Sequence, residues 1–216
     1  MAPDDGAAPR IAPVVSVLLA ATALTGILQV LLPSFNAFCL EYLSLRLQAG
    51  GEWRPRGVYG FATYVFVHGG GAHLFLNCLW LLLIGQSVAQ WLRTRYFLLV
   101  YFGGAFAGGA LQMLLSPGAI LVGASGGLFA LLGAFGYRHI VLSEAARRAR
   151  RGAIIRFVAI MAVMIFIFAM PGMSFGGGNV SWAGHLGGLL AGIALTPMVM
   201  RHSARRAVWR GRSFDV

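Results

Sequence analysis

The chain contains no lysine, six acidic residues and two cysteines among its 216 residues. The two cysteines, Cys39 and Cys78, fall one in a connecting segment and one inside an apolar run, so a disulfide framework is not expected to organise the fold. Charged residues make up 11% of the chain, against about a quarter in soluble domains. With 58% apolar residues and a mean hydropathy of +0.77, a soluble globular domain is excluded. All six acids (Asp4, Asp5, Glu41, Glu52, Glu144 and Asp215) lie outside the long apolar runs. A carboxylate-supported catalytic triad inside those runs is therefore excluded as well.

What is abundant is arginine, which supplies all 17 basic residues and a net charge of +11. In a soluble protein that balance would suggest nucleic acid, but here placement decides otherwise. Arg93 and Arg95, then Arg147, Arg148, Arg150 and Arg151, then Arg201, Arg205, Arg206, Arg210 and Arg212 sit in short segments between apolar runs. That is the positive-inside pattern of loops facing an anionic inner leaflet, and no nucleic-acid partner is expected.

The runs themselves predict an all-α polytopic membrane protein of six transmembrane helices. Residues 1–10 form a short polar tail, and Ile11–Leu32 is long enough for one span of about 20 residues. A signal peptide is the alternative for this run, disfavoured because the apolar core exceeds the usual length. Residues 33–57, with Glu41, Arg46, Glu52, Trp53, Arg54 and Arg56, read as an amphipathic external loop lying in the interface. The glycines at 69–71 argue against a helix start there, so the second span is placed from His73 to Trp91. The uncharged run Tyr96–Tyr137 covers 42 residues, about 63 Å as one helix and twice the hydrocarbon thickness of about 30 Å. Ser116-Pro117-Gly118 breaks it, giving a third span Tyr96–Leu115 and a fourth from Ser125 to about Leu142. A fifth is expected at about Ala153–Met170 and a sixth at Trp182–Met200, so that a membrane domain over 11–200 precedes a basic tail over 201–216. With six spans both termini share a side. That side collects 14 of the 17 arginines and is expected to be cytoplasmic.

Within the fourth run stands Gly123-Ala124-Ser125-Gly126-Gly127, a serine wrapped in glycine where backbone amides stay open to a ligand. The other polar residues standing out in the outer halves of the spans are His73, Asn77 and His185. Ser125 is 13 residues from Arg138, about 20 Å, while His185 and Asn77 are each 16 residues from an inner arginine, about 24 Å. Three helices thus carry polar groups at one depth, about 5 to 10 Å below the outer surface, and polar groups in lipid are costly enough to mark function. Small residues at Gly126, Ala130, Gly133 and Ala134 on span four, and at Gly184, Gly188 and Gly192 on span six, have the spacing that lets two helices approach closely. A serine beside a neutral histidine can attack a carbonyl, with the imidazolium then protonating the leaving amine. No metal or cofactor is needed. Lacking a carboxylate, such a dyad would rely on packing to orient His185, with Phe129 one turn below Ser125 as the candidate. Candidates to meet the oxyanion are the Ser125 N–H, the Asn77 amide and His73.

Gly123-x-Ser125-x-Gly127 also matches the nucleophile elbow of α/β-hydrolases, and His68-Gly69-Gly70-Gly71 their oxyanion motif. That fold requires a strand before the serine, whereas here the flanks are membrane spans.

Taken together, Glu52-Trp53-Arg54 in the first external loop, His73-x-x-x-Asn77 opening span two, Gly123-Ala124-Ser125-Gly126 opening span four, and Ala183-Gly184-His185-x-x-Gly188-x-x-x-Gly192 in span six resemble the rhomboid family of intramembrane serine proteases. The resemblance runs from the first span to the sixth and is nearest to the minimal bacterial form, which implies a bacterial inner membrane. It implies Ser125 as nucleophile, His185 as base, and His73 and Asn77 as oxyanion stabilisers, in a cavity open to the external side. Gly123, Gly126, Gly188, Gly192, Trp53 and Arg54 come with the motifs as supporting residues, and Phe129 stands where some members have tyrosine. Membrane-spanning protein helices are the implied substrates. Span five, with a cap at 172–181, is the implied lateral gate.

Two other functions fit parts of the pattern. A proteolytically silent relative that binds and escorts membrane proteins would keep the fold but not need both Ser125 and His185. A small transporter would use the four polar groups as a path, but neither an internal repeat nor a polar site near the midplane is evident.

Overall fold

The computed structural model describes residues 11–49, 52–53, 58–142 and 181–209, with the helical positions 152, 155, 158–160 and 162–163. Helix α1 (Pro13–Leu31) starts on a proline, whose fixed φ suits the first helical turn, and ends where Leu32 becomes extended ahead of Pro33. A short helix α2 (Pro33–Phe38) and a π-helical turn (Cys39–Leu43) follow. The hairpin β1 (Gln48–Ala49) with β2 (Glu52–Trp53) pairs Gln48 with Trp53. Helix α3 (Gly60–Thr63) and a 3₁₀ turn (Tyr64–Phe66) lead to α4 (Gly71–Trp80), which continues through a π-helical turn (Leu81–Gly85) into α5 (Gln86–Ala89). Then come α6 (Thr94–Leu115), α7 (Ser125–Gly136) with a π-helical continuation to Leu142, and α8 (Trp182–Trp209).

Among the described residues, four stretches are long and apolar enough to cross a membrane: Pro13–Leu31, Gly71–Ala89, Thr94–Leu115 and Trp182–His202. Their outward faces carry exposed Leu24, Ile27, Val30, Phe75, Leu83, Phe106 and Leu114, a surface suited to lipid and not to water. Helix α7 is apolar nearly all round and buried along its whole length except Phe135, the arrangement expected of a central helix. It packs in a trio with α6 and α8. Small residues make that trio possible. A Cβ at Gly104 would overlap Ala130, one at Gly188 the Gly126 carbonyl, and one at Gly192 the Ala130 carbonyl. The backbones are in direct contact, which maximises dispersion where lipid offers no hydrophobic drive.

Four expectations are corrected or extended. Helix α4 begins at Gly71 and not at His73: the first helical residues need no intrahelical N–H partner, and the Cβ position of Gly71 faces open space. Gly184 does not face α7; it lies against α6, where the Gly108 Cβ position falls on the Gly184 carbonyl. Helix α8 contains Pro197 and runs on to Trp209, while its apolar stretch ends at His202, close to the expected Met200; the basic residues beyond suit a helix C-terminus. The first loop does not merely rest in the interface. Cys39, Ser44 and Leu45 are buried, and the Leu45 and Leu121 backbones exchange hydrogen bonds of 3.0 and 2.8 Å. Gly60 and Gly109 leave the room that Leu45 occupies. The tail at 1–10, Arg54, the loop at 143–151, the cap at 172–180 and residues 210–216 lie outside the described residues, as does most of the expected fifth span at 153–170.

Replacing Gly192 by valine should destabilise the fold by about 1–3 kcal/mol through overpacking. The thermal midpoint in detergent should fall accordingly, whereas Gly118→Ala, with nothing within 4 Å of its Cβ position, should leave it nearly unchanged.

Candidate active site

Ser125 is the first residue of α7, and the turn before it depends on Gly123, whose φ of 106° is strained for any residue with a Cβ. Glycine is required there for a second reason. A Cβ would stand 2.7 Å from both Cε1 and Nε2 of His73, so the missing side chain is what lets the α4 imidazole reach the start of α7. The turn is held by the Gly123 N–H, which donates to the Tyr64 carbonyl at 2.9 Å. Tyr64 is itself buried, with its hydroxyl donating to the Ala105 carbonyl at 2.8 Å and its oxygen filling the space beside Gly126.

His185 lies in the first turn of α8. Its Nε2 is 2.9 Å from Ser125 Oγ, a buried contact between residues 60 apart in the chain. Gly126, next to Ser125, touches Gly188, about one turn beyond His185, and this backbone contact is what brings the two side chains within reach. Phe129, one turn along α7 from Ser125, stacks on the His185 ring with centroids 4.3 Å apart and planes inclined by 8°. An aromatic ring therefore fixes the imidazole plane. The described acids, Glu41 and Glu52, both belong to the first loop.

On α4, Asn77 is fully buried and its Nδ2 donates to the His73 carbonyl one turn earlier at 2.9 Å. One amide hydrogen remains, and Nδ2 lies 3.8 Å from the Cβ position of Gly123. His73 and Asn77 thus border the turn that presents Ser125. The first amides of α7 have no intrahelical acceptor and form the positive end of that helix, so the serine sits among oriented donors. Gly192 lies deeper on α8 and contributes to packing alone. Trp53 contributes its backbone to β2, while its side chain and Arg54 are outside the described residues.

Sequence reasoning missed a support behind His73. Gln29, a lone glutamine in the apolar run of α1, clamps the His68 backbone: its Oε1 accepts from the His68 N–H at 2.9 Å and its Nε2 donates to the His68 carbonyl at 3.2 Å. The His68 ring then meets His73 edge-on at 5.1 Å. A buried amide in an otherwise apolar span was the available signal, because such a group must find partners inside the protein.

Residues 55–202 match the family model of the Rhomboid domain. Rhomboid-like protease 3 of Toxoplasma gondii is 37% identical over 137 residues, covering 62% of this chain and 48% of that protein. Rhomboid protease GluP of Bacillus subtilis is 32% identical over 146 residues, 68% of this chain and 26% of that protein. Inactive rhomboid-related protein 2 of Caenorhabditis elegans is 31% identical over 145 residues, 65% of this chain and 40% of that protein. The chain spans less than half the length of each of these three relatives.

Gly123→Ala should cost about 1–3 kcal/mol in backbone strain and displace His73. A lowered unfolding midpoint in detergent would bear this out; a midpoint equal to that of the unaltered protein would contradict the left-handed turn.

Proposed function

The chain belongs to the rhomboid family and is an integral, multi-pass membrane protein, and from that premise we propose that it is an intramembrane serine endopeptidase cutting membrane-spanning helices with a Ser125–His185 dyad. The observation that carries the proposal is the 2.9 Å contact between Ser125 Oγ and His185 Nε2 at the start of a buried helix. In the reaction, Ser125 Oγ gives its proton to His185 Nε2 as it bonds to the scissile carbonyl carbon. The tetrahedral oxyanion is met by the Ser125 N–H and the remaining Asn77 amide hydrogen, with His73 beside them. His185 then returns the proton to the departing amine. Water, deprotonated by the same imidazole, releases the acyl group from Ser125. With no carboxylate behind it among the described residues, His185 keeps its plane through the Phe129 ring.

The wider reading comprises a membrane domain at 11–200 with six spans, the fifth of which, over 153–170, acts as lateral gate. Both termini lie inside, as the distribution of arginine favours, and the site opens to the external face. A helical substrate must unwind to expose its carbonyl, so residues of low helix propensity are expected at the cut. One relative is named inactive, so family membership alone does not carry catalysis, and an escort protein is the competing function. The hydrogen-bonded serine and histidine favour the enzyme.

Treating the purified protein in detergent with a fluorophosphonate and weighing it intact tests the proposal without a known substrate. One adduct on Ser125 is expected, absent from Ser125→Ala and His185→Ala. Folded protein that stays unlabelled by two probe chemistries would favour the escort function. Asn77→Ala should retain labelling at a rate lowered by about 10²- to 10³-fold; complete loss with the fold intact would contradict a shared oxyanion role.

A further inference from the structure

We propose that Gln112 and Ser181 are positioning residues: a hydrogen-bonded clasp between α6 and α8 that sets the axial register of α8 and so holds His185 opposite Ser125, a role that presupposes the serine–histidine reading of the site. Ser181 immediately precedes α8 and has the residue type favoured for capping a helix N-terminus. Its Oγ accepts from the Gly184 N–H at 3.0 Å, and its carbonyl accepts from the His185 N–H at 3.0 Å. The same hydroxyl donates to Gln112 Oε1, in the last turn of α6, at 2.6 Å. The capping hydroxyl of the histidine-bearing helix is therefore tied to a neighbouring helix at a point one turn from His185.

The need for such a tie follows from the seam beneath it. At the outer end of the α6–α8 seam, around His185, the contact is made by Gly108 against Gly184 and by Gly187 against the backbone at Ala107 and Gly108, where a Cβ would come within 2.9 Å of the Gly108 Cα, while the Leu195 side chain meets Gly103 only deeper in the bundle. Contacts between glycines let backbones touch, but they interlock few side chains and resist sliding weakly. The Phe129 stack has the same weakness, since nearly parallel rings resist tilting more than sliding in the plane. Neither contact fixes the position of α8 along its own axis. The Ser181–Gln112 hydrogen bond is directional, half-buried and placed at the outer end of the seam. Gln112 lies one turn beyond Gly108 and Ser181 one turn before His185, so the clasp and the glycine contact act on the same length of α8. A displacement of about 1 Å at a reacting pair can cost two orders of magnitude in rate.

The test measures the rate of fluorophosphonate labelling at Ser125 and the thermal midpoint for the unaltered protein, Ser181→Ala, Ser181→Thr, Gln112→Leu and the Ser181→Ala/Gln112→Leu double variant. Loss of the clasp should slow labelling about 10- to 100-fold in Ser181→Ala and Gln112→Leu. Threonine keeps a capping hydroxyl and should restore most of the rate. The double variant should be no slower than Ser181→Ala, because that variant already lacks both the clasp bond and the cap, and Gln112→Leu removes only the clasp. Labelling of Ser181→Ala at the unaltered rate would overturn the clasp while leaving the protease reading intact. So would a rate that tracks the midpoint alone across all variants, with no rescue by threonine. Failure of the unaltered, folded protein to label at Ser125 would overturn the protease reading and the clasp with it.

Discussion

The structure depends on the backbone contact of α7 with α8. Gly188 lies on the Gly126 carbonyl and Gly192 on the Ala130 carbonyl, with no side chain between them. In lipid there is little hydrophobic gain in bringing apolar helices together, so close packing and hydrogen bonds must do it, and both improve as backbones approach. The Ser125–His185 contact is a consequence. Two helices separated by leucine-sized side chains would hold the serine and the imidazole apart, whatever their depth in the membrane. The central helix is correspondingly short of protruding polar groups and buried on nearly every side.

Around that contact, several polar groups are secured by protein, as a dehydrated interior favours, although Asn77 Oδ1, His68 Nε2 and the Tyr101 hydroxyl are buried without a hydrogen-bond partner among the described residues. Asn77 binds the carbonyl one turn back, Tyr64 binds Ala105, and Gln29 binds both sides of the His68 peptide. These bonds come from four separate parts of the chain and converge on the Gly123 turn and the two histidines beside it. The first loop joins them through Leu45, whose exchange of hydrogen bonds with Leu121 anchors the approach to Gly123. A segment that looks like a surface connection thereby becomes part of the frame of the site.

Rigidity is unevenly distributed in this frame. The Gly123 turn takes a φ open to glycine and is held by the Tyr64 carbonyl with the His73 ring against it. The imidazole of His185, by contrast, is held by a stacked ring, a smooth glycine seam and a cap at the helix start. The position of Ser125 is fixed by the turn that carries it, while that of His185 depends on how one whole helix sits against another.

By itself the sequence determined the class of protein, because hydropathy and arginine placement follow directly from the cost of moving charge into lipid. It also determined where the long apolar helices α1, α4–α5 and α6 run to within a few residues, where α8 starts, and which polar residues stand at a common depth, since rise per residue is constant. Tertiary structure decided the rest. Whether Gly184 faces α6 or α7 depends on helix rotation, which small-residue spacing leaves open on a face lined with glycine. The burial of Leu45 depends on space left by Gly60 and Gly109, two residues distant in sequence from it and from each other. The partnerships of Gln29 with His68 and of Gln112 with Ser181 link helices whose mutual register no local pattern encodes. A single chain reveals which residues cannot face lipid alone, and only the packed bundle reveals which partners they find.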